Sequence, residues 1–157
     1  ARPSMGLTAQ QVRERFADFQ GQKCTIQNSG ANIKDAAVHM LRNINYPNHS
    51  TGLSLDPKAL CTGRNSGFQA LNLAVLAGAK YIILLGYDGK PGDDGRAHWF
   101  GDHPRPTPPA IYPLLKQAMS AAELALKNAG VIVVNCSPGS AIDSFTKMDI
   151  RQALERF

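Results

Sequence analysis

Apolar residues fall into two different rhythms along this chain. Tyr81 to Leu85 and Val131 to Asn135 are runs without alternation, which predicts parallel strands covered on both faces. A helical pattern precedes each run. Phe68, Leu71, Leu73, Ala74, Val75 and Ala77 describe a helix that is apolar round most of its circumference. Ser66 and Gln69 have capping-box spacing, so the Ser66 hydroxyl is expected to accept from the Gln69 N–H while Gln69 reaches back. Gly78 stands where a left-handed residue would end that helix. Ala110 to Asn128 is the longest predicted helix, opened by Pro108 and Pro109 and closed by Gly130.

The rest of the pattern is weaker. Leu7 to Phe19 reads as an amphipathic helix with Thr8 and Gln11 at its start. Lys23 to Gln27 reads as a short strand, and Ala36 to Leu41 as a second strand in preference to a helical turn. Asn43 to Lys58, rich in Asn, Pro, Ser and Gly, reads as a surface loop. Gly89 to Pro109 is a second loop, too long for a plain connection. It holds Trp99 between His98, Phe100 and His103, so it reads as a lid or site loop. Met148 to Phe157 is a short helix with Thr146 as its cap and Ile150, Leu154 and Phe157 as its stripe.

The element order predicts one α/β domain over residues 1–157: a three-layer parallel sheet with helices on both faces. Right-handed crossovers between parallel strands bring their carboxyl ends to one edge. Three polar turns then meet there: Gly63 to Gly67, Tyr87–Asp88, and Asn135 to Ser140. In open α/β sheets that edge is where ligands bind.

Charge and cysteines adjust this picture only slightly. The net charge of +5 favours anionic partners. No basic run or stripe appears, so a scattered basic surface is a better reading than a nucleic-acid groove. Cys24, Cys61 and Cys136 lie far apart with no CxxC, which points to reduced thiols, a cytoplasmic setting and no zinc site. No window reaches membrane-spanning length and no signal peptide is visible. The chain opens on Ala1, as a trimmed product or a part of a longer protein would.

Candidate chemistry sits on the three turns and the second loop. Asn65, Ser66 and Gly67 stand at a helix N-terminus, where free N–H groups favour an anion. Ser66 as a mere cap is the common alternative. Asp88 either holds a ribose hydroxyl, a phosphate-bound Mg²⁺ or a reacting proton, or caps an Asp–Gly turn. His98 and His103 have the right chemistry for a general base; they also suit loop-fixing hydrogen bonds. With Asp102 they match no strong zinc spacing. Asn135, Ser137 and Ser140 form a hydrogen-bonding turn expected to contact the nucleotide, and Cys136 reads as a structural thiol. Neither GxGxxG nor GxxxxGK[ST] is present.

The blocks NSGFQALNLAVLAGAKYIILLGYD, HWFGDH and VIVVNCSPGSAI, in that order, resemble a Rossmann-like family, often phage-encoded. That family is related to archaeal 6-hydroxymethyl-dihydropterin diphosphokinases and distantly to bacterial sialyltransferases. The resemblance covers the chain from Leu53 onward. It implies nucleotide contacts at Ser66 and Gly67 with Asn65 beside them, a histidine base at His98 or His103, and a metal-side or phosphate-side role for Asp88. Family members usually begin with a strand and a GxGPS-type turn. Here Arg2-Pro3-Ser4 follows neither strand nor glycine, so that half either belongs to a longer protein or has been lost.

The reading that results is a nucleotide-binding transferase with a nucleotide-activated donor. Sialyltransferase-like glycosyl transfer and diphosphoryl transfer both remain open, and the second would bring Mg²⁺. Its alternative is a non-catalytic nucleotide-binding or small-molecule-binding protein of phage or bacterial origin. Either takes a nucleotide or nucleotide-sugar as partner, and either is compatible with a homo-oligomer.

Overall fold

The computed structural model describes residues 9–26, 38–44, 52–63, 65–97 and 108–156. The chain is α/β, with every strand pair parallel. In order come helix α1 (Ala9–Asp18), strands β1 (Lys23–Ile26), β2 (Val38–Ile44) and β3 (Ala59–Cys61), helix α2 (Ser66–Leu76) and strand β4 (Tyr81–Leu84). Helix α3 (Ile111–Asn128), strands β5 (Ile132–Asn135) and β6 (Thr146–Lys147) and helix α4 (Ile150–Arg156) follow.

The strands form two sheets, β1-β2-β3 and β4-β5-β6, where one was expected. Asn72 gives the local reason. Arg42 N–H bonds to Lys58 O and Thr62 N–H to Ile44 O, which leaves the Cys61 N–H facing away from β2. A further strand would take that N–H. Instead Asn72 Oδ1 accepts it at 2.9 Å, accepts the Ser54 N–H at 3.0 Å, and Nδ2 donates to Ser54 O at 2.8 Å. Asn72 is fully buried, so a side chain from α2 closes this edge of β3.

One apolar cluster nevertheless spans both halves. Leu53 and Cys61 join Phe68 and Leu71 of α2, Leu84 of β4, Met119, Ala122 and Leu126 of α3, and Ile142. Phe68, Leu71 and Asn72 form the buried side of α2, while Leu73 is 39% exposed. The apolar circumference expected for α2 is therefore a stripe, with a polar residue inside it and a leucine outside it.

Both long helices end as their glycines predict. At Gly78 (φ 89°) and Gly130 (φ 67°) the chain turns left-handed. Ala79 N–H reaches Ala74 O and Gly78 N–H reaches Val75 O; Val131 N–H and Gly130 N–H repeat this on Leu126 O and Lys127 O. Each helix thus returns directly into a strand.

Several expectations change. β2 runs on to Ile44, into what read as loop, because Arg42 to Ile44 pair with β3. β4 is the outermost strand of its sheet, with Tyr81 54% exposed, so it is not covered on both faces. Thr146 pairs with Val134 in β6 and does not cap α4. Asp149 does so, its carboxylate accepting the Arg151 N–H at 2.8 Å. The α4 stripe is Ile150 and Ala153, with Leu154 exposed. Among the described residues, no helix is long and apolar enough to cross a membrane.

Candidate functional site

The turn before α2 is built around Asn65. Its Oδ1 accepts the Phe68 N–H at 2.7 Å and its Nδ2 donates to Gly63 O at 3.0 Å. Asn65 is therefore the N-cap, and the expected Ser66–Gln69 box does not form, because Ser66 is already the first helical residue. Gly63 (φ 51°) admits no other residue easily: a β-carbon there would lie 2.3 Å from Phe68 Cγ.

Tyr87, just beyond β4, joins all three turns. Its hydroxyl donates to Gly67 O at 2.8 Å, its backbone N–H donates to Ser137 Oγ at 2.8 Å, and its carbonyl accepts from Ser140 Oγ at 2.6 Å. Gly67 is small for this reason: a β-carbon would meet Tyr87 Cε1 at 3.0 Å. Burial raises the pKa of the Tyr87 phenol above its ordinary value, so the donor proton is retained.

The turn after β5 is held from within. Asn135 is 1% exposed; its Oδ1 accepts the Ser137 N–H at 3.0 Å and its Nδ2 donates to Ser140 Oγ at 2.9 Å. Ser140 Oγ also accepts the Ile142 N–H at 3.1 Å. Lys147 Nζ donates to Ser140 O at 2.7 Å and to Asp143 at 2.6 Å, and this bond holds the Asp143 carboxyl below its usual pKa. Ala141 N–H donates to Asp88 O at 2.7 Å, and buried Gly89 (φ 64°) lies where a β-carbon would strike Ile142 Cγ1 at 2.7 Å. The Asp88–Gly89 turn and the Ser140–Ile142 segment are thus clamped together.

Gly67, Asp88, Asn135, Ser137 and Ser140 accordingly share one hydrogen-bonded knot at the carboxyl ends of β4 and β5. Ser66 does not join it. It is exposed and lines an apolar cavity of about 260 Å³ with Gln69, Ile26, Leu41, Leu60 and Leu73, between α2 and the first sheet. The exposed Asp88 side chain faces a different cavity, of about 440 Å³, shared with Lys90, Gly92, Asp93, Asp94, Arg96 and Ala97. There Asp94 and Arg96 hold each other, which lowers the pKa of the carboxyl and raises that of the guanidinium. His98 and His103 lie outside the described residues, as do Trp99 and Asp102. Cys136 is buried beside Val134 and Ala153. Among the described residues, no group of three His, Cys, Asp or Glu side chains is placed to hold a metal.

Two residues of this region carried no role in the sequence reading. Tyr87 offered one signal, an aromatic ring with a polar tip directly after a strand and Gly86. Lys90 offered none beyond its charge. Comparison with known families, curated proteins and solved structures finds no match to this chain.

Proposed function

We propose that the chain is a Rossmann-like nucleotide-binding transferase whose nucleotide-activated donor binds where the α2, β4 and β5 turns meet. The observation that carries this reading is Tyr87, one residue that bonds its own turn to the other two. A rigid polar rim at the carboxyl ends of parallel strands is the usual setting for a nucleotide. In this reading Asn65 and Gly67 flank the donor while Ser66 opens onto the separate apolar cavity, Asp88 meets the donor's ribose or its metal-bound phosphates, and His98 or His103 acts as base. Asn135, Ser137 and Ser140 hold the rim in shape.

Titration calorimetry with CMP and with ATP, each with and without Mg²⁺, tests it. Metal-independent CMP binding supports glycosyl transfer, and Mg²⁺-dependent ATP binding supports diphosphoryl transfer. Binding of neither nucleotide refutes both. A non-catalytic binding protein is the second reading, favoured because the Asn135 and Ser140 side chains are spent on internal hydrogen bonds. It predicts that His98→Ala and His103→Ala change affinity alone; turnover lost in either variant would refute it.

A further inference from the structure

The cavity beside Asp88 holds two cations in different states. Arg96 is engaged with Asp94 through both Nε and a terminal nitrogen. Among the described residues Lys90 pairs with Asp93 alone, at 3.3 Å, and the Asp93 side chain is 98% exposed. Such solvent-exposed pairs are weak and easily displaced. The Lys90 ammonium also lies over the turn after β5: a β-carbon on Gly139 would sit 3.8 Å from Nζ. Gly139 turns left-handed (φ 66°), and its N–H has no hydrogen-bond partner among the described residues. The Lys90 ammonium, a donor that lines the cavity, is thus weakly held and stands beside the Gly139 turn. A ligand oxyanion in the cavity gives it a stronger partner than the exposed Asp93 carboxylate does.

We propose that Lys90 holds the phosphate of the bound ligand against the Pro138–Gly139 turn. This deepens the nucleotide reading above and rests on it. The ligand class is a phosphate or diphosphate ester, with its charged end at Lys90. Asp88 and Asp93 line the same cavity, so an uncomplexed polyphosphate meets carboxylates as well as the ammonium, and Mg²⁺ strengthens its binding.

Calorimetry on the whole chain tests this, with pyrophosphate, CMP, ATP and cytidine as probes and with and without Mg²⁺. The variants are Lys90→Gln, Lys90→Arg and, as a control for net charge, Lys127→Gln in the last turn of α3. Loss of one charge-assisted contact weakens pyrophosphate and nucleotide binding by roughly tenfold or more in Lys90→Gln. Lys90→Arg retains most of the affinity, and Lys127→Gln changes it little. Equal losses in Lys90→Gln and Lys127→Gln, or no loss in Lys90→Gln, overturn the assignment. Wild-type protein that binds cytidine as tightly as CMP keeps a nucleoside site and removes Lys90 from it. Lys90-dependent binding of pyrophosphate with no gain from CMP or ATP keeps Lys90 and removes the nucleotide reading.

Discussion

Ser140→Ala is the sharpest test of the knot. The Ser140 hydroxyl is one oxygen and one proton, yet it donates to Tyr87 O and accepts from Asn135 Nδ2 and the Ile142 N–H. Ser140 is 5% exposed, so water does not readily replace those bonds. Each buried polar group left without a partner costs about 1–3 kcal/mol. Local relaxation recovers part of this, and the net loss comes to about 2–4 kcal/mol. Ser137→Ala is the internal comparison. Ser137 Oγ accepts the Tyr87 N–H, so about 1–2 kcal/mol is expected. Urea unfolding followed by circular dichroism measures both, and an unchanged slope confirms that the folded state has lost stability without changing its extent. The two variants order in the same way if the knot is a structural tie. Ser140→Ala at less than about 1 kcal/mol, or no worse than Ser137→Ala, would refute the reasoning. So would a Ser140→Ala protein of full stability that had lost nucleotide affinity, since that result makes the serine a ligand contact.

Asn72→Leu keeps the branch at Cγ in a larger side chain and strands the Ser54 N–H, the Cys61 N–H and Ser54 O, so a loss of about 2–4 kcal/mol is expected in the same unfolding assay. A variant as stable as the parent would mean that the β3 edge finds another partner. Tyr87 governs the alkaline limb of stability. Its folded pKa is raised, so the stabilisation is complete below the ordinary value of 10.0 and is lost as pH rises through the raised folded value. Phenolate absorbance should show a late tyrosine step that Tyr87→Phe removes.

How much of this was legible beforehand depends on the kind of force involved. Helices α2 and α3 and the β4 and β5 runs follow from apolar pattern and glycine position, which act locally. The split into two sheets does not, because it turns on a single asparagine among apolar neighbours in α2. No periodicity distinguishes an Asn that closes a strand edge from one that faces water. Cap identity failed for a related reason. Asn65 and Ser66 are both good caps, and Thr146 and Asp149 compete in the same way. One residue of offset decides each case, and tertiary contacts settle the offset: Gly67 packs against Tyr87, and Thr146 pairs with Val134.

The meeting of the β4 and β5 turns was legible because paired parallel strands dictate it, but the α2 turn follows a strand of the other sheet and is tied in by the Tyr87 hydroxyl, and what the turn residues do was not legible. A buried asparagine and two serines on a glycine-bearing turn look like ligand contacts in sequence. Here the Asn135 amide and the Ser140 hydroxyl meet each other and the Tyr87 backbone, which a polar list cannot show. The consequence is a division of labour. Groups that hold the rim have spent their hydrogen bonds internally, so on the proposed reading ligand recognition falls to groups that pass beyond it: the Asp88 carboxylate and the Lys90 ammonium. Rim and recognition then separate by experiment. Ser140→Ala lowers stability and with it affinity, whereas Lys90→Gln lowers affinity in a protein that unfolds at the parent's urea midpoint.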